Sequence, residues 1–220
     1  MPRLLFEKKG NAVWISHLDL MRLFQRAFKR AGLPLTHTRG FNPRPSVSIA
    51  LPLSVGVESC CELLDFDLDG YEVSCDEMKD RLNDALVAGV KVLDVYEDGK
   101  KIRHLAYLDC VVTLEYDGGV PQNGASTLDA LFRQDSLFVE KKTKSNGIQD
   151  QNIIPMIRRL EVAGIDGQTL ELRALVCCQN PTLNPMQLVA AIERYAPAMK
   201  PDFAKCRRVE VYDTEENIFR

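Results

Sequence analysis

Residues 13–34 read VWISHLDLMRLFQRAFKRAGLP and contain the clearest helical signal in the chain. Ser16 is a favourable N-cap, and Asp19 follows three residues later in a start that resembles a capping box. Apolar side chains then recur at three- and four-residue spacing, at Leu20, Leu23, Phe24, Ala27, Phe28 and Ala31. Gly32 followed by Pro34 ends the pattern. The stretch therefore predicts an amphipathic helix from Ser16 to about Ala31.

The other side of this helix is basic, with Arg22, Arg26, Lys29 and Arg30 falling away from the apolar stripe. The charge of the whole chain of 220 residues is only −3, but it is unevenly spread. Residues 1–45 have nine basic and two acidic side chains, a local charge of +7, which leaves −10 for the rest. Such asymmetry fits a basic surface for an anionic partner, and it equally fits two faces that neutralise each other across the fold.

Around the helix, the first half of the chain predicts the element order βαββαβ. Leu4–Phe6 and Val13–Ile15 are expected as strand ends about a turn, or as one strand with a bulge. Alternating apolar residues predict strands over Ser46–Leu53 and Glu58–Leu68, the second with Asp65, Asp67 and Asp69 on its solvent face. A helix capped by Ser74 and a strand over Val90–Tyr96 complete the order, which is that of the split βαβ unit.

The second half predicts a looser copy of the same unit. Its expected elements are strands over Tyr107–Tyr116, Leu137–Lys144, Ile157–Ala163, Thr169–Cys177 and Arg208–Tyr212, with helices over Thr127–Gln134 and from Pro185 to Tyr195. The predicted fold class is therefore α+β, with tandem ferredoxin-like (βαββαβ) units, antiparallel sheets and helices packed on one face. The expected domains are residues 1–100, containing the basic helix, and residues 104–220.

Composition excludes disordered, collagen-like and coiled-coil proteins. The chain is 45% hydrophobic and 27% charged, which is ordinary globular usage. No segment has the length of apolar sequence that a membrane span needs, so we expect a cytoplasmic protein with no membrane association. Seven cysteines lack the C-x-x-C spacing of zinc or iron–sulfur sites, so reduced thiols, no metal site and no cofactor are expected: Cys60, Cys61, Cys75, Cys110, Cys177, Cys178 and Cys206.

The segment most suggestive of binding is residues 37–45, HTRGFNPRP. Gly40 frees the backbone to present its amide groups to an anion, and Arg39 and Arg44 can hold phosphate oxygens. Phe41 can stack on a base and Asn42 can read a base edge. Together with the basic helix, these residues predict a groove for single-stranded RNA. The alternative is a proline-stiffened connection in which Phe41 fills the core.

The sequence also resembles a known family at these motifs. Residues 15–22 (ISHLDLMR), 31–34 (AGLP), 40–45 (GFNPRP) and 51–59 (LPLSVGVES) are similar to an uncharacterised bacterial family of radical-SAM-linked proteins, a domain of unknown function. The similarity is strong over roughly residues 3–70 and collinear to the C-terminus. Family members occur alone or joined to a radical-SAM module, often encoded near ribonuclease and ribosomal-protein genes. The resemblance implies a role around RNA, beside a radical-SAM protein in trans.

Some positions depart from the family pattern. The family commonly has His at position 44, with Tyr and an acidic residue or Gln around 37 and 39. Here Arg44, His37 and Arg39 make the segment more basic. The cysteine triad of radical-SAM enzymes is absent, so any iron–sulfur cluster would belong to a partner chain.

Three functions follow as hypotheses. The leading one is a non-catalytic RNA-binding or substrate-presenting accessory protein that acts with a radical-SAM enzyme. Its expected RNA- and phosphate-binding residues are Arg22, Arg26, Lys29, Arg30, Arg39, Gly40, Phe41, Asn42 and Arg44. The second is a metal-independent endoribonuclease resembling the CRISPR repeat-processing enzymes, with His17 or His37 as catalytic residues. The third is a protein-interaction subunit that binds no nucleic acid.

Ser16, His17 and Asp19 are not expected to form a nucleophilic triad, because their side chains diverge within one helical turn.

Overall fold

The structure is a computed structural model that describes residues 2–70, 72–142 and 147–220. Its contacts divide the chain into two compact units. Unit 1 extends to His104 and also includes Arg220, whose carbonyl oxygen accepts a hydrogen bond of 2.7 Å from the amide of Lys100. Unit 2 spans Leu105–Phe219. Both units are mixed α+β structures built on antiparallel strands.

Unit 1 contains four strands and two helices in the described residues. They are β1 (Arg3–Lys8), α1 (His17–Arg30), β2 (Val47–Ile49), β3 (Glu58–Phe66), α2 (Cys75–Ala85) and β4 (Val90–Tyr96). The strand order is β4-β1-β3-β2, and every neighbouring pair is antiparallel. Helix α1 begins as predicted, because the Ser16 hydroxyl accepts a hydrogen bond of 3.2 Å from the amide of Asp19.

Aromatic side chains hold α1 against the sheet. Phe24 of α1 packs edge-on against Phe6 of β1, with ring centroids 4.7 Å apart, and Phe28 packs on Phe66 of β3 at 5.0 Å. All four rings are fully buried, and each contributes about 1.5–3 kcal/mol by leaving water. Because this packing fixes the rotation of α1 about its axis, the polar side of the helix is held towards solvent.

The prediction of a strand over Val13–Ile15 is wrong. Residues Gly10–Trp14 form a 3-10 turn instead, in which Ala12 and Val13 are buried. Gly10 has a φ of +55°, which only glycine adopts freely, and this turns the chain away from β1. The buried ammonium of Lys8 then donates a 2.9 Å hydrogen bond to the carbonyl oxygen of Ile15. This carbonyl group is therefore paired with a side chain instead of a neighbouring strand.

The strand predicted over Ser46–Leu53 is shorter than expected. It covers Val47–Ile49 rather than Ser46–Leu53, since Pro52 has no amide hydrogen to continue a ladder.

Unit 2 contains six strands and two helices in the described residues. They are β5 (Leu105–Glu115), α3 (Gly124–Phe132), β6 (Phe138–Lys142), β7 (Ile148–Asn152), β8 (Ile157–Asp166), β9 (Thr169–Cys177), α4 (Met186–Tyr195) and β10 (Phe203–Asp213). Four strands form a sheet in the order β10-β5-β9-β8, again with antiparallel neighbours. Strands β6 and β7 form a separate two-stranded ribbon.

The ribbon corrects a second expectation. The predicted strand Leu137–Lys144 does exist, as Phe138–Lys142, but it does not join the sheet. It pairs with the polar segment Ile148–Asn152, which lacks the apolar alternation that predicts a strand. Thr143 and Lys144 of the predicted strand lie outside the described residues. Within the part of the chain that the structure describes, no helix combines the length and apolar character needed to cross a bilayer.

Candidate nucleic-acid interface

A short closed loop presents the motif at residues 39–44. Its base is formed by Thr38 and Arg44: the Thr38 amide donates to the Arg44 carbonyl oxygen at 2.8 Å, and the Arg44 amide donates to Oγ1 of Thr38 at 3.0 Å. One step further down, His37 and Pro45 form an isolated β-bridge. The ends of the loop are therefore held by one backbone hydrogen bond and one bond to the Thr38 hydroxyl, while the residues between them are accessible to a ligand. We refer to residues 39–44 as the arginine loop.

Every residue of the arginine loop is exposed. Phe41 is as exposed as in an extended peptide, with a relative accessibility of 108%, so the alternative in which it fills the core is wrong. Gly40 has a φ of +144°, a conformation that L side chains rarely adopt. The ring of Phe41 is therefore accessible to a partner.

Helix α1 supplies the second part of the surface. Leu18, Arg22, Gln25 and Lys29 follow one another at intervals of three or four residues and so lie along one stripe of the helix, with Arg26 beside it. The buried residues of α1, which include Leu20 and Phe28, lie on the other side. This stripe is the outward face that the aromatic packing of Phe24 and Phe28 holds in place.

The basic side chains of the two elements are not equivalent. Arg22 forms an ion pair of 2.9 Å with Asp19. The Asp19 pKa is lowered by the hydrogen bond from the Ser16 hydroxyl and by Arg22. Arg30 donates from Nη2 to the carbonyl oxygen of Ala85, the last residue of α2.

By contrast, four cations have no ion pair or hydrogen bond from their side chains to any residue that the structure describes: Arg26, Lys29, Arg39 and Arg44. These unpaired cations are the ones available to phosphate.

A cavity joins the helix stripe to the base of the arginine loop. Its volume is about 590 Å³, and its lining residues are Gln25, Lys29, Gly32, Leu33, Pro34, Leu35, His37 and Pro45. The first two belong to α1 and the last two to the base of the loop. The cavity thus brings the basic stripe of α1 next to the base of the arginine loop. In the sequence the two are separated by the connection that follows Gly32.

The other end of the stripe has an aromatic residue that sequence reasoning did not select. Trp14 is 67% exposed and Leu18 is 66% exposed, at the start of α1. The predicted strand over Val13–Ile15 includes Trp14, and the 3-10 turn found there instead leaves its ring in solvent. The available signal was that it is the only tryptophan of the chain and directly precedes a basic helix.

The two candidate catalytic histidines do not come together. His17 is the first residue of α1 and is half-buried, with its Nδ1 atom buried and unpaired among the described residues. His37 is exposed and lines the cavity with Gln25 and Lys29. These two residues are about 12–18 Å along α1 from His17. A single phosphodiester therefore cannot contact both imidazoles in this arrangement.

The acidic strand face is used structurally. Asp65 forms an ion pair with the buried Arg3, and Oδ2 of Asp67 accepts a 2.9 Å hydrogen bond from the Thr36 hydroxyl. Among residues 2–70, 72–142 and 147–220, no group of three or more His, Cys, Asp or Glu side chains is arranged to hold a metal ion.

Unit 2 has a cavity of about 690 Å³ whose cations are neutralised. Arg173 forms a bidentate pair with Asp109, and Arg158 and Arg159 both pair with Glu216. The Arg173 pKa is raised by its hydrogen bonds to Asp109. Because each arginine already has a carboxylate partner, this cavity is a poorer anion site than the face of α1.

Residues 2–185 match the family described as "uncharacterized protein conserved in bacteria (DUF2344)". No curated protein matches the sequence.

Among solved structures, a chain in a Cbf5–Nop10–Gar1 complex aligns over 96% of this chain and 48% of its own length, at 10% identity and a TM-score of 0.52. A chain in an archaeal box H/ACA sRNP Nop10–Cbf5 complex aligns over 94% and 46%, at 11% identity and a TM-score of 0.47.

An unknown protein from Galdieria sulphuraria aligns over 94% of this chain and 96% of its own length, at 11% identity and a TM-score of 0.27. The chain spans about half the length of the first two structures. At such identities the similarity to the first structure concerns the fold alone.

Proposed function

We propose that this chain, which belongs to the DUF2344 family of bacterial proteins, is a non-catalytic protein that binds single-stranded RNA through unit 1. The surface comprises the stripe of α1, including Arg26 and Lys29, and the arginine loop with Arg39, Phe41 and Arg44. We call this combined surface the RNA face. Gly40 and Asn42 belong to the loop, Arg22 belongs to the stripe, and Arg30 lies next to Lys29 on α1.

The observation that carries this proposal is the set of unpaired cations beside exposed aromatic rings. Phosphates of a nucleic acid are bound by free lysine and arginine side chains, and release of counterions drives the association. Aromatic residues add stacking with bases, but only where the bases are not already paired in a duplex. Trp14 precedes the stripe in the chain, Phe41 belongs to the loop whose base lines the cavity with Lys29, and the stripe from Leu18 to Lys29 is about 16 Å long, enough for a few nucleotides.

Trp14 allows the proposal to be tested without a label, because its indole is the only one in the chain. We expect a 12-nucleotide oligoadenylate RNA to quench the fluorescence of Trp14 as it saturates the protein. The Arg26→Ala/Lys29→Ala variant should require at least tenfold more RNA for the same quenching, since it loses two phosphate contacts.

The matched control removes the same charge from unit 2. Arg133→Ala/Lys200→Ala deletes two exposed cations that are paired with Asp129 and Glu193. This variant should bind as the wild type does. Equal losses in both variants would mean that binding follows net charge alone, and an absence of binding by the wild type would contradict the proposed function.

We also propose that the protein presents RNA to a radical-SAM enzyme supplied in trans. The support is the resemblance of residues 15–22 and 40–45 to the radical-SAM-linked family. Co-purification of the tagged protein with a radical-SAM protein in an RNase-sensitive manner is the expected result. Co-purification that RNase does not affect, in the absence of RNA binding, would instead favour the protein-interaction subunit.

The two units are, in this proposal, copies of one ferredoxin-like element, with expected domains at residues 1–100 and 104–220. The support is that unit 1 has the order β4-β1-β3-β2 and the sheet of unit 2 has the corresponding order β10-β5-β9-β8. The ribbon β6–β7 would then be an insertion in the second copy. The cationic stripe of α1 and the arginine loop both belong to unit 1, so the proposed RNA binding belongs to one copy.

The alternative of a metal-independent endoribonuclease has a separate test. It would require His17 or His37 to act alone, since His37 lies beside Gln25 and Lys29, about 12–18 Å along α1 from His17. We expect RNA to remain intact after long incubation with pure protein in the presence of a chelator. Cleavage that is lost in His17→Ala or His37→Ala would establish the nuclease and overturn the non-catalytic proposal.

A further inference from the structure

The cavity at the C-terminal end of α1 has the make-up of a small-ligand site. Its volume of about 590 Å³ lies within the range of roughly 300–1,000 Å³ that such sites occupy. One side is apolar and contains Leu33, Pro34, Leu35 and Pro45. Leu33 is almost fully buried, so this wall is continuous with the core of unit 1.

Three polar side chains line the same cavity. They are the amide of Gln25, the ammonium of Lys29 and the imidazole of His37. None of them has a hydrogen bond to another residue among those that the structure describes. An amide both donates and accepts, as does a neutral imidazole, whereas the ammonium only donates. The site therefore combines an apolar wall with hydrogen-bonding groups and one positive charge.

Resting on the proposed function, we propose that this cavity binds one unstacked nucleotide of the RNA strand. Its base contacts the apolar wall and takes hydrogen bonds from Gln25 and His37. Its phosphate lies at Lys29.

Two features of the site favour this occupant over an uncharged small molecule. The first is charge, because Lys29 belongs to the stripe of cations and has no carboxylate partner among the described residues. The second is continuity, because His37 and Pro45 are at once cavity lining and the base of the arginine loop. A strand that contacts Phe41 and Arg44 on the loop passes the mouth of the cavity on its way to the stripe of α1. Splaying single bases into pockets is a common mode of single-strand recognition.

The test separates the base from the backbone. The probes are a 12-nucleotide oligoadenylate RNA and a ribose–phosphate strand of equal length without bases. Gln25→Trp fills the cavity from the surface of α1, and the matched control Gln122→Trp places the same ring at an exposed position in unit 2. Affinities are measured by fluorescence anisotropy of 5′-labelled strands.

We expect Gln25→Trp to weaken oligoadenylate binding about tenfold, which is the effect of losing contacts to one base, and to leave the abasic strand within twofold of its wild-type affinity. Gln122→Trp should change neither. Gln25→Ala, a smaller change on the same exposed helix surface, should weaken oligoadenylate about threefold and leave the abasic strand unchanged.

Three results would overturn the inference. If Gln25→Trp and Gln25→Ala bind oligoadenylate as the wild type does, the cavity holds no base, while the proposed RNA face stands. Equal weakening of both strands would assign Gln25 to backbone binding or to folding. If the wild type binds neither strand, the proposed function fails together with the cavity.

Discussion

The amide of Thr38 and the carbonyl oxygen of Arg44 are joined by a hydrogen bond of 2.8 Å, and the Arg44 amide returns a bond of 3.0 Å to Oγ1 of Thr38. These two bonds close the arginine loop without using any side chain from its interior. Arg39 and Phe41 therefore extend into solvent because the backbone is anchored beneath them. This relationship makes the loop a stable element for presenting charge and an aromatic ring.

Gly40 should be required for this presentation. Its φ of +144° is strained for any other residue, although a Cβ there would have no atom within 4 Å. We expect Gly40→Ala to rearrange the loop and to weaken RNA binding by threefold to tenfold, with unit 1 still folded. Gly167→Ala, which has a φ of +41° and equally open space in unit 2, is the control. Circular dichroism and anisotropy check both, and equal affinities in the two variants would contradict the role of the loop.

Phe41 should contribute to binding and not to stability. The side chain is fully exposed, so Phe41→Ala removes no buried contact and should leave the free energy of unfolding within about 0.5 kcal/mol of the wild type. Stacking on one base is worth about 1–3 kcal/mol, so RNA affinity should fall at least fivefold. Phe203→Ala removes another exposed ring, in unit 2, and should have no effect on binding. A loss of stability in Phe41→Ala, or unchanged affinity, would disagree with the structure.

Neighbouring basic residues on α1 should separate into binding and structural roles. Arg30→Ala removes the hydrogen bond to the carbonyl oxygen of Ala85 and should lower the free energy of unfolding by about 1 kcal/mol with little effect on RNA affinity. Lys29→Ala should do the reverse, because its ammonium has no partner among the described residues. Urea unfolding and anisotropy on the two single variants measure this. The account would fail at this point if both residues affected affinity equally.

Tyr116 predicts a specific dependence of stability on pH. Its hydroxyl donates a 2.9 Å hydrogen bond to the carbonyl oxygen of Met199, and burial, followed by the negative charge of Asp202, raises the Tyr116 pKa to about 12. In the unfolded chain this phenol loses its proton near pH 10, so unfolding releases a proton between about pH 10 and 12.

The stability advantage of the wild type over Tyr116→Phe should therefore be complete below about pH 10 and should shrink by roughly 2–3 kcal/mol by pH 12. Urea unfolding at several pH values measures it. A difference that is independent of pH would contradict the assigned environment.

Local sequence signals predicted the elements that depend on local physics. Ser16 and Gly32 define the ends of α1, and the spacing of apolar residues identifies its buried side, because capping and helical periodicity act within a few residues. The Val90–Tyr96 and Thr169–Cys177 strands were likewise readable from their apolar content and turns.

Longer-range contacts could not be read in this way. The sequence pattern places Arg30 on the basic face of α1 with Arg26 and Lys29, and its hydrogen bond to Ala85 is not visible there because Ala85 is 55 residues away. The ribbon was missed since Ile148–Asn152 has no apolar alternation, and its strand exists only by pairing with β6. The cavity beside Gln25 depends on how the loop folds back on α1, which no local pattern specifies. The turn that contains Trp14 is not predictable from local pattern either, because it depends on the buried Lys8, whose ammonium bonds the carbonyl oxygen of Ile15.

The most direct test of RNA binding by this face is the salt dependence of the affinity for 12-nucleotide oligoadenylate, compared between the wild type and Arg39→Ala/Arg44→Ala from about 50 to 300 mM KCl. Each phosphate contact on a single strand contributes about 0.7 to the slope of log K against log salt. The account predicts that the double variant binds at least tenfold more weakly at low salt and that its slope is smaller by about 1.4. Identical slopes and affinities for the two proteins, or no binding by the wild type at low salt, would contradict it.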